Sequence, residues 1–114
     1  MQFEGPIIYT HDLEKSVRFY TEIFSLKVER VTKDQFASLR FSKHNRLGIK
    51  QSSALREIPG SQTMTFTETA IEELYEVMQK RGVPIVQKLA DLPYGKTFIV
   101  TDPDGNWIEF VKRS

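Results

Sequence analysis

DLEKSVRFYTEIFSLKV at residues 12–28 and TDPDGNWIEFVK at residues 101–112 are the two stretches on which the fold turns. In the first, Leu13, Val17, Tyr20 and Phe24 recur at i, i+4, i+7 and i+11, one apolar stripe of an α-helix. Asp12 stands just before the stripe, where a short acceptor side chain can cap free backbone amides. In the second, Trp107, Glu109 and Val111 alternate with Ile108 and Phe110, the two-residue period of a strand. Ahead of that strand, Asp102-Pro103-Asp104-Gly105 has Asp, Pro and Gly at the preferred places of a type I turn.

Working outward, the same unit occurs twice. Phe3 to Thr10 is an apolar, β-branched run of strand type ahead of the first helix. Three strand-like runs follow that helix: LKVERVT, QFASLRF and NRLGIKQ, divided by short polar breaks suited to hairpins. SALREIPGS then reads as a linker, with Pro59 and Gly60 as breakers. TMTFT leads into Thr69-Ala70-Ile71-Glu72, which has the form of a capping box. The helix after it carries Ile71, Leu74, Tyr75 and Met78 on one face and stops at Gly82. PIVQKLA, KTFIVT and NWIEFVK complete the second half. NRLGI aligns with NWIEF, which sets Gly48 opposite Glu109, and a short loop insertion accounts for the difference in length between the halves. A strand-helix-three-strand pattern met twice is far more specific than either half alone.

At 114 residues the chain suits one domain, residues 1–114, made of a module at 1–54 and a module at 60–114. Hydrophobic residues at 39% and charged residues at 27% give a globular composition. Lys plus Arg number 16 against 15 Asp plus Glu, so no net field draws in nucleic acid. The absence of cysteine excludes disulfides, thiolate metal sites and a Cys nucleophile, and suits a reducing compartment. With no basic leader and no apolar run near the roughly 20 residues that span a bilayer, no membrane partner and a cytoplasmic location are expected.

The stretch DLEKSVRFYTEIFSLKV and the ending TDPDGNWIEFVK resemble the vicinal-oxygen-chelate superfamily of glyoxalases, bleomycin-resistance proteins and extradiol dioxygenases. The resemblance covers essentially the whole chain. It implies an α+β fold of two paired βαβββ modules forming curved mixed sheets around a cavity, commonly in a homodimer. It does not imply one reaction. Enzymes of this family hold a divalent metal with residues from the first and last strand of each module. Carried onto this chain, those positions fall on Gly5, Gly48, Glu109 and either Thr63 or Gln62. Strand alternation favours Thr63, whereas counting back from the helix cap favours Gln62. Glycine offers no donor and a threonine hydroxyl is a poor transition-metal ligand, which leaves Glu109 as the one clean match. The two histidines, His11 and His44, lie beside a helix cap and in a hairpin, away from those positions. The expected metal set and cofactor are therefore none.

Alternation also proposes what lines the cavity: Ile7 and Tyr9 from the first strand, Arg46 and Lys50 from the fourth, Trp107 and Glu109 from the last, and Phe36, whose face is not fixed by sequence. Aromatic walls with a few charged groups describe a small-molecule site. Arg46 and Lys50 in such a site suit an anionic or carbonyl-bearing ligand. Their plainer reading is as solvated strand residues, that of Trp107 is packing or a dimer anchor, and that of Glu109 is a remnant paired with Arg46. Ser25 stands after the first helix where the family has glycine, so either it accepts a left-handed conformation or the helix ends differently. The functional expectation is a small-molecule binder with an eroded metal site, possessing no assigned catalytic residue. The alternatives are a metal-dependent lyase, isomerase or dioxygenase with an atypical ligand set, and a protein-interaction module using the open sheet face.

Overall fold

The computed structural model describes all of residues 1–114. In chain order the elements are β1 (Ile7–Thr10), α1 (Leu13–Phe24), β2 (Lys27–Thr32), β3 (Phe36–Ser42), β4 (Asn45–Gln51), β5 (Thr63–Thr67), α2 (Ile71–Lys80), β6 (Ile85–Leu92), β7 (Gly95–Thr101) and β8 (Trp107–Arg113). The chain divides into two compact units, Met1–Gly60 and Ser61–Ser114. Each holds one helix and one four-stranded mixed sheet, ordered β1-β4-β3-β2 in the first and β5-β8-β7-β6 in the second. In both, the first strand pairs parallel with the last and the remaining pairs are antiparallel. The α+β architecture expected from the repeat is the one observed. No helix is long and apolar enough to cross a membrane.

In the first unit α1 lies against β3 and β4. Ile8, Ala37, Leu39, Leu47 and Ile49 are fully buried, and Tyr20 of the helix stripe is 1% exposed. Burying a side chain of that size stabilises by about 1.5–3 kcal/mol. The helix begins as its sequence requires: the Asp12 carboxylate accepts from the Lys15 amide at 3.2 Å. It ends on Ser25 at φ 58° and ψ 27°, with the Ser25 and Leu26 amides both turned onto the Tyr20 carbonyl. Ser25 therefore takes the left-handed conformation itself.

In the second unit Phe98, Val100 and Ile108 are fully buried on the helix side with Phe110, and Phe98 meets Tyr75 edge-on at 5.0 Å. The helix stops as expected, with Gly82 at φ 73° and the Val83 amide donating to the Met78 carbonyl. Its start does not follow the capping-box expectation. Ala70 occupies the cap without a side-chain hydrogen bond, and the Leu74 amide closes on the Ala70 carbonyl. Thr69 thus stands one position too early, and the Glu68 carboxylate accepts from the Ala70 amide instead at 3.2 Å. Glu72, the other half of the expected box, pairs with Lys96 at 3.2 Å.

The first strand is also shorter than its sequence suggests. Phe3 is 82% exposed and Gly5 turns the backbone at φ 134°, so regular pairing starts at Ile7. A left-handed serine costs about 1 kcal/mol that glycine does not incur. Ser25→Gly is expected to raise the unfolding free energy by about 0.5–1 kcal/mol, less than the full strain because glycine also loosens the unfolded chain. Urea denaturation at neutral pH measures it; a loss of stability would show that the Ser25 side chain contributes more than its strain costs.

Candidate ligand faces of the two sheets

Strand register decides which side chains stand on the face that each helix leaves uncovered. In the first unit Ile7 lies opposite Gly48 and Tyr9 opposite Lys50. Across the next ladder Phe36 is opposite Lys50, Ser38 opposite Gly48 and Arg40 opposite Arg46. Partners in register share a face, so Phe36 and Arg40, unplaced by sequence, join Ile7, Tyr9, Arg46 and Lys50. This face is partly open: Ile7 is 51% exposed.

The three cations on it, Arg40, Arg46 and Lys50, are already paired within their own unit. Between β2 and β3, Val28 opposes Leu39 but Arg30 opposes Ser38, which leaves Glu29 as the extra residue of a β-bulge. The bulge brings the Glu29 carboxylate to Arg46, with Nε at 2.6 Å from Oε1 and Nη2 at 3.3 Å from Oε2, a two-pronged contact. Arg40 stands 3.8 Å from the same carboxylate. The Arg46 hydrogen bond holds the Glu29 carboxyl below the usual range, and Glu29 in turn raises the Arg46 guanidinium. Lys50 Nζ reaches Glu57 Oε1 at 2.8 Å, and the same oxygen accepts from the Ser53 amide at 2.8 Å. Lys50 foremost, then that amide, lower the Glu57 carboxyl to about 2. Ser52 Oγ donates to the Glu57 carbonyl at 2.6 Å, so the segment after β4 is latched to the strand it leaves. Sequence reasoning placed Arg46 and Lys50 correctly on one face but missed both carboxylates. A bulge breaks the alternation that would have revealed Glu29, and Glu57 sits in a linker with no period at all.

In the second unit Thr63 opposes Trp107 and Thr65 opposes Glu109, while Ile99 flanks Glu109 from β7. The Glu109 carboxylate accepts from Tyr94 Oη at 2.8 Å, from Thr97 Oγ1 at 3.1 Å and from Thr65 Oγ1 at 3.2 Å. Arg46, in the first unit, is engaged by Glu29 of that unit. Tyr94 comes from the turn between β6 and β7, and its hydrogen bond to Glu109 holds the phenol above its usual range. Trp107 is 46% exposed beside it, which does not fit a packed core residue. Its strand is anchored from below: buried Asn106 accepts from the Gln62 amide at 3.0 Å and donates to Asp102 Oδ2 at 2.8 Å. Asp102 Oδ1 accepts from the Asp104 and Asn106 amides, and the Gly105 amide closes the expected turn on the Asp102 carbonyl.

The family's metal positions can now be compared within each unit. Gly48 opposite Ile7 corresponds to Glu109 opposite Thr65; two residues earlier stand Gly5, just ahead of β1, and Thr63, at the start of β5. That register makes Thr63, not Gln62, the counterpart of Gly5. Gln62 uses its backbone to bind Asn106 and Trp107. A side chain on Gly48 would put its Cβ 2.9 Å from Phe36 Cζ and 3.0 Å from Ile7 Cγ1, so apolar atoms fill the place of a ligand. At Gly5 a Cβ would collide with the Arg46 carbonyl oxygen, and the φ of 134° disfavours any side chain. No three His, Cys, Asp or Glu side chains come together as a metal would need. The residues present do not fit the family's metal.

The Lys50–Glu57 latch makes a pH prediction. Because the folded carboxyl is depressed from 4.5 to about 2, its contribution to stability is complete above 4.5 and is lost as pH falls from there through 2. Lys50→Ala should return Glu57 most of the way to the ordinary range, read by carboxyl-carbon NMR titration, and should flatten the loss of stability over that window. An unchanged Glu57 titration would mean that the Ser53 amide and hydroxyl hold the carboxylate without Lys50.

A family model for the Glyoxalase/Bleomycin resistance protein/Dioxygenase superfamily matches residues 3–110. A search of curated proteins finds no match to this sequence. Among solved structures, the antibiotic-binding protein TnmS3 from Streptomyces sp. CB03234 is similar over 100% of this chain and 97% of its own, at 19% identity and a TM-score of 0.87. Lactoylglutathione lyase from Agrobacterium tumefaciens is similar over 96% of this chain and 92% of its own, at 18% identity and a TM-score of 0.82. The bleomycin-binding protein of bleomycin-producing Streptomyces verticillus, in complex with copper(II)-bleomycin, covers 100% of this chain and 98% of its own, at 20% identity and a TM-score of 0.77. At these identities the structural likenesses establish the fold, while the family match extends over nearly the whole sequence. The chain belongs to the glyoxalase/bleomycin-resistance/dioxygenase superfamily.

Proposed function

We propose that this protein binds and sequesters a small organic molecule, a metabolite or an antibiotic, without a metal and without transforming it. The observation that carries the reading is the state of the family's metal positions: apolar atoms of Phe36 and Ile7 stand where a donor on Gly48 would be. Glu109, the remaining donor, is engaged by three hydroxyls of its own unit. A site with one carboxylate and no imidazole has neither the number nor the softness of donors that Zn, Ni or Fe requires. The antibiotic-binding and bleomycin-binding proteins among the structural neighbours support sequestration as the use of such a fold.

The residues proposed to meet the ligand are Ile7, Tyr9, Phe36, Arg46 and Lys50 in the first unit, with Trp107 and Glu109 in the second. In both units they stand on the helix-free face of the sheet. Hydroxyl groups and a carboxylate on the second face suit a polar organic ligand better than the dry surface that a protein partner would bury. The same reading takes the protein as a cytoplasmic homodimer.

Two measurements on protein purified without a chelator or a metal-affinity column test this. Elemental analysis should find well below one divalent metal per chain. A panel of metabolites and antibiotics should contain a compound that raises Tm by a few degrees, whereas added Zn, Ni, Mn or Fe should not. Stoichiometric metal that disappears in Glu109→Ala would overturn the proposal in favour of a metal-dependent lyase or dioxygenase.

A further inference from the structure

Glu109 differs from the other carboxylates on the helix-free faces. Glu29 closes on Arg46 and Arg40, and Glu57 closes on Lys50, so each has a cation of its own. Glu109 has none within ion-pair distance in its own unit; its partners there are the hydroxyls of Tyr94, Thr97 and Thr65. Hydroxyl dipoles stabilise a carboxylate but leave its net charge in place, and a half-buried charge without a counter-ion is uncommon.

Nor do these hydroxyls use all of its acceptor capacity. An ionised carboxylate offers about four lone-pair positions. Thr97 has one proton to give, and its Oγ1 also lies 2.8 Å from the Phe110 carbonyl oxygen, so that proton is divided between two acceptors. Arg113, on the same strand, does not supply the counter-charge: its guanidinium lies over the Tyr94 ring, 5.8 Å from the centroid. Two residues before Glu109 on the same face, Trp107 leaves 46% of its surface open. An exposed indole and a carboxylate two residues apart on one strand face can each attract a flat organic cation, the first through the ring quadrupole and the second through its charge.

We propose that Glu109 and Trp107 form the cation-recognising part of the ligand site, taking an amidinium, guanidinium or aryl-linked ammonium group of an organic ligand. The inference rests on the small-molecule reading above and gives it a ligand class. It reverses the sign expected from sequence, where Arg46 and Lys50 suggested an anion. Their charges are satisfied internally, whereas that of Glu109 is not.

Benzamidine, benzamide and benzoate have nearly one shape and three charges, and Trp107 is the sole tryptophan, so its emission reports on the site. Benzamidine should bind at least about tenfold more tightly than benzamide, with benzoate weakest, and about 0.5 M salt should shrink that preference severalfold. Glu109→Gln should bring the amidine and the amide to within about twofold of each other. Tyr94→Phe, which keeps the charge and removes one hydroxyl, should retain the preference. The salt series on the unaltered protein stands even if Glu109→Gln does not fold.

A benzoate preference, or an amidine preference indifferent to salt or to Glu109→Gln, overturns the inference. Binding of neutral or anionic compounds without benzamidine sinks the cation assignment and leaves the binder reading standing. Silence from all three probes and from the wider metabolite and antibiotic panel removes both.

Discussion

One helix shields one face of a four-stranded sheet, and the organisation of this molecule follows from that constraint. In each unit the alternate residues facing the helix are apolar and buried, among them Leu39, Leu47 and Ile49 in the first and Phe98, Val100 and Ile108 in the second. Their neighbours in sequence must then stand on the other face, because a strand turns successive side chains to opposite sides. No further secondary structure within the unit covers that second face. What it displays differs between the units, although part of it is itself buried: Thr97 and Val111 of the second are 0% exposed.

The two faces have diverged chemically. On the first, each cation has a carboxylate partner: a bulge delivers Glu29 to Arg46 and Arg40 together, and the segment after β4 folds Glu57 back onto Lys50. At its centre Gly48 makes room for Phe36 and Ile7. On the second, the equivalent position carries Glu109, ringed by hydroxyls and next to an open tryptophan. The first unit is thus apolar at the position where the second carries a carboxylate. Gly48 and Gly5 have no donor to give a metal, whereas the second unit keeps one carboxylate at the equivalent position.

Much of this was legible in the sequence because it depends on local periods. The stripe from Leu13 to Phe24, the turn at Asp102 to Gly105 and the alternation through Trp107 to Val111 all decide structure within a few residues. The match of NRLGI to NWIEF also anticipated that Gly48 and Glu109 are equivalent. What escaped depends on chain segments meeting at a distance. Tyr94 reaches Glu109 from a hairpin turn, and no spacing rule links the two. Glu29 escaped because a bulge shifts its side chain out of phase, and the cap at Ala70 because a helix can begin one residue past its best signal. The carboxylate partners of Arg46 and Lys50 escaped for the same reason. Arg46 and Lys50 look available in sequence, and only the fold brings their carboxylates to them.

The central claim is that ligands are taken up on the helix-free faces without a metal. Amide chemical shifts of the labelled, metal-stripped protein, recorded with whichever compounds a fragment screen returns, test it most directly. The account predicts that the shifts concentrate on β1, β3 and β4, or on β5, β7 and β8, and leave α1 and α2 nearly still. Shifts confined to the helices, or binding that appears only after a divalent metal is restored, would contradict it.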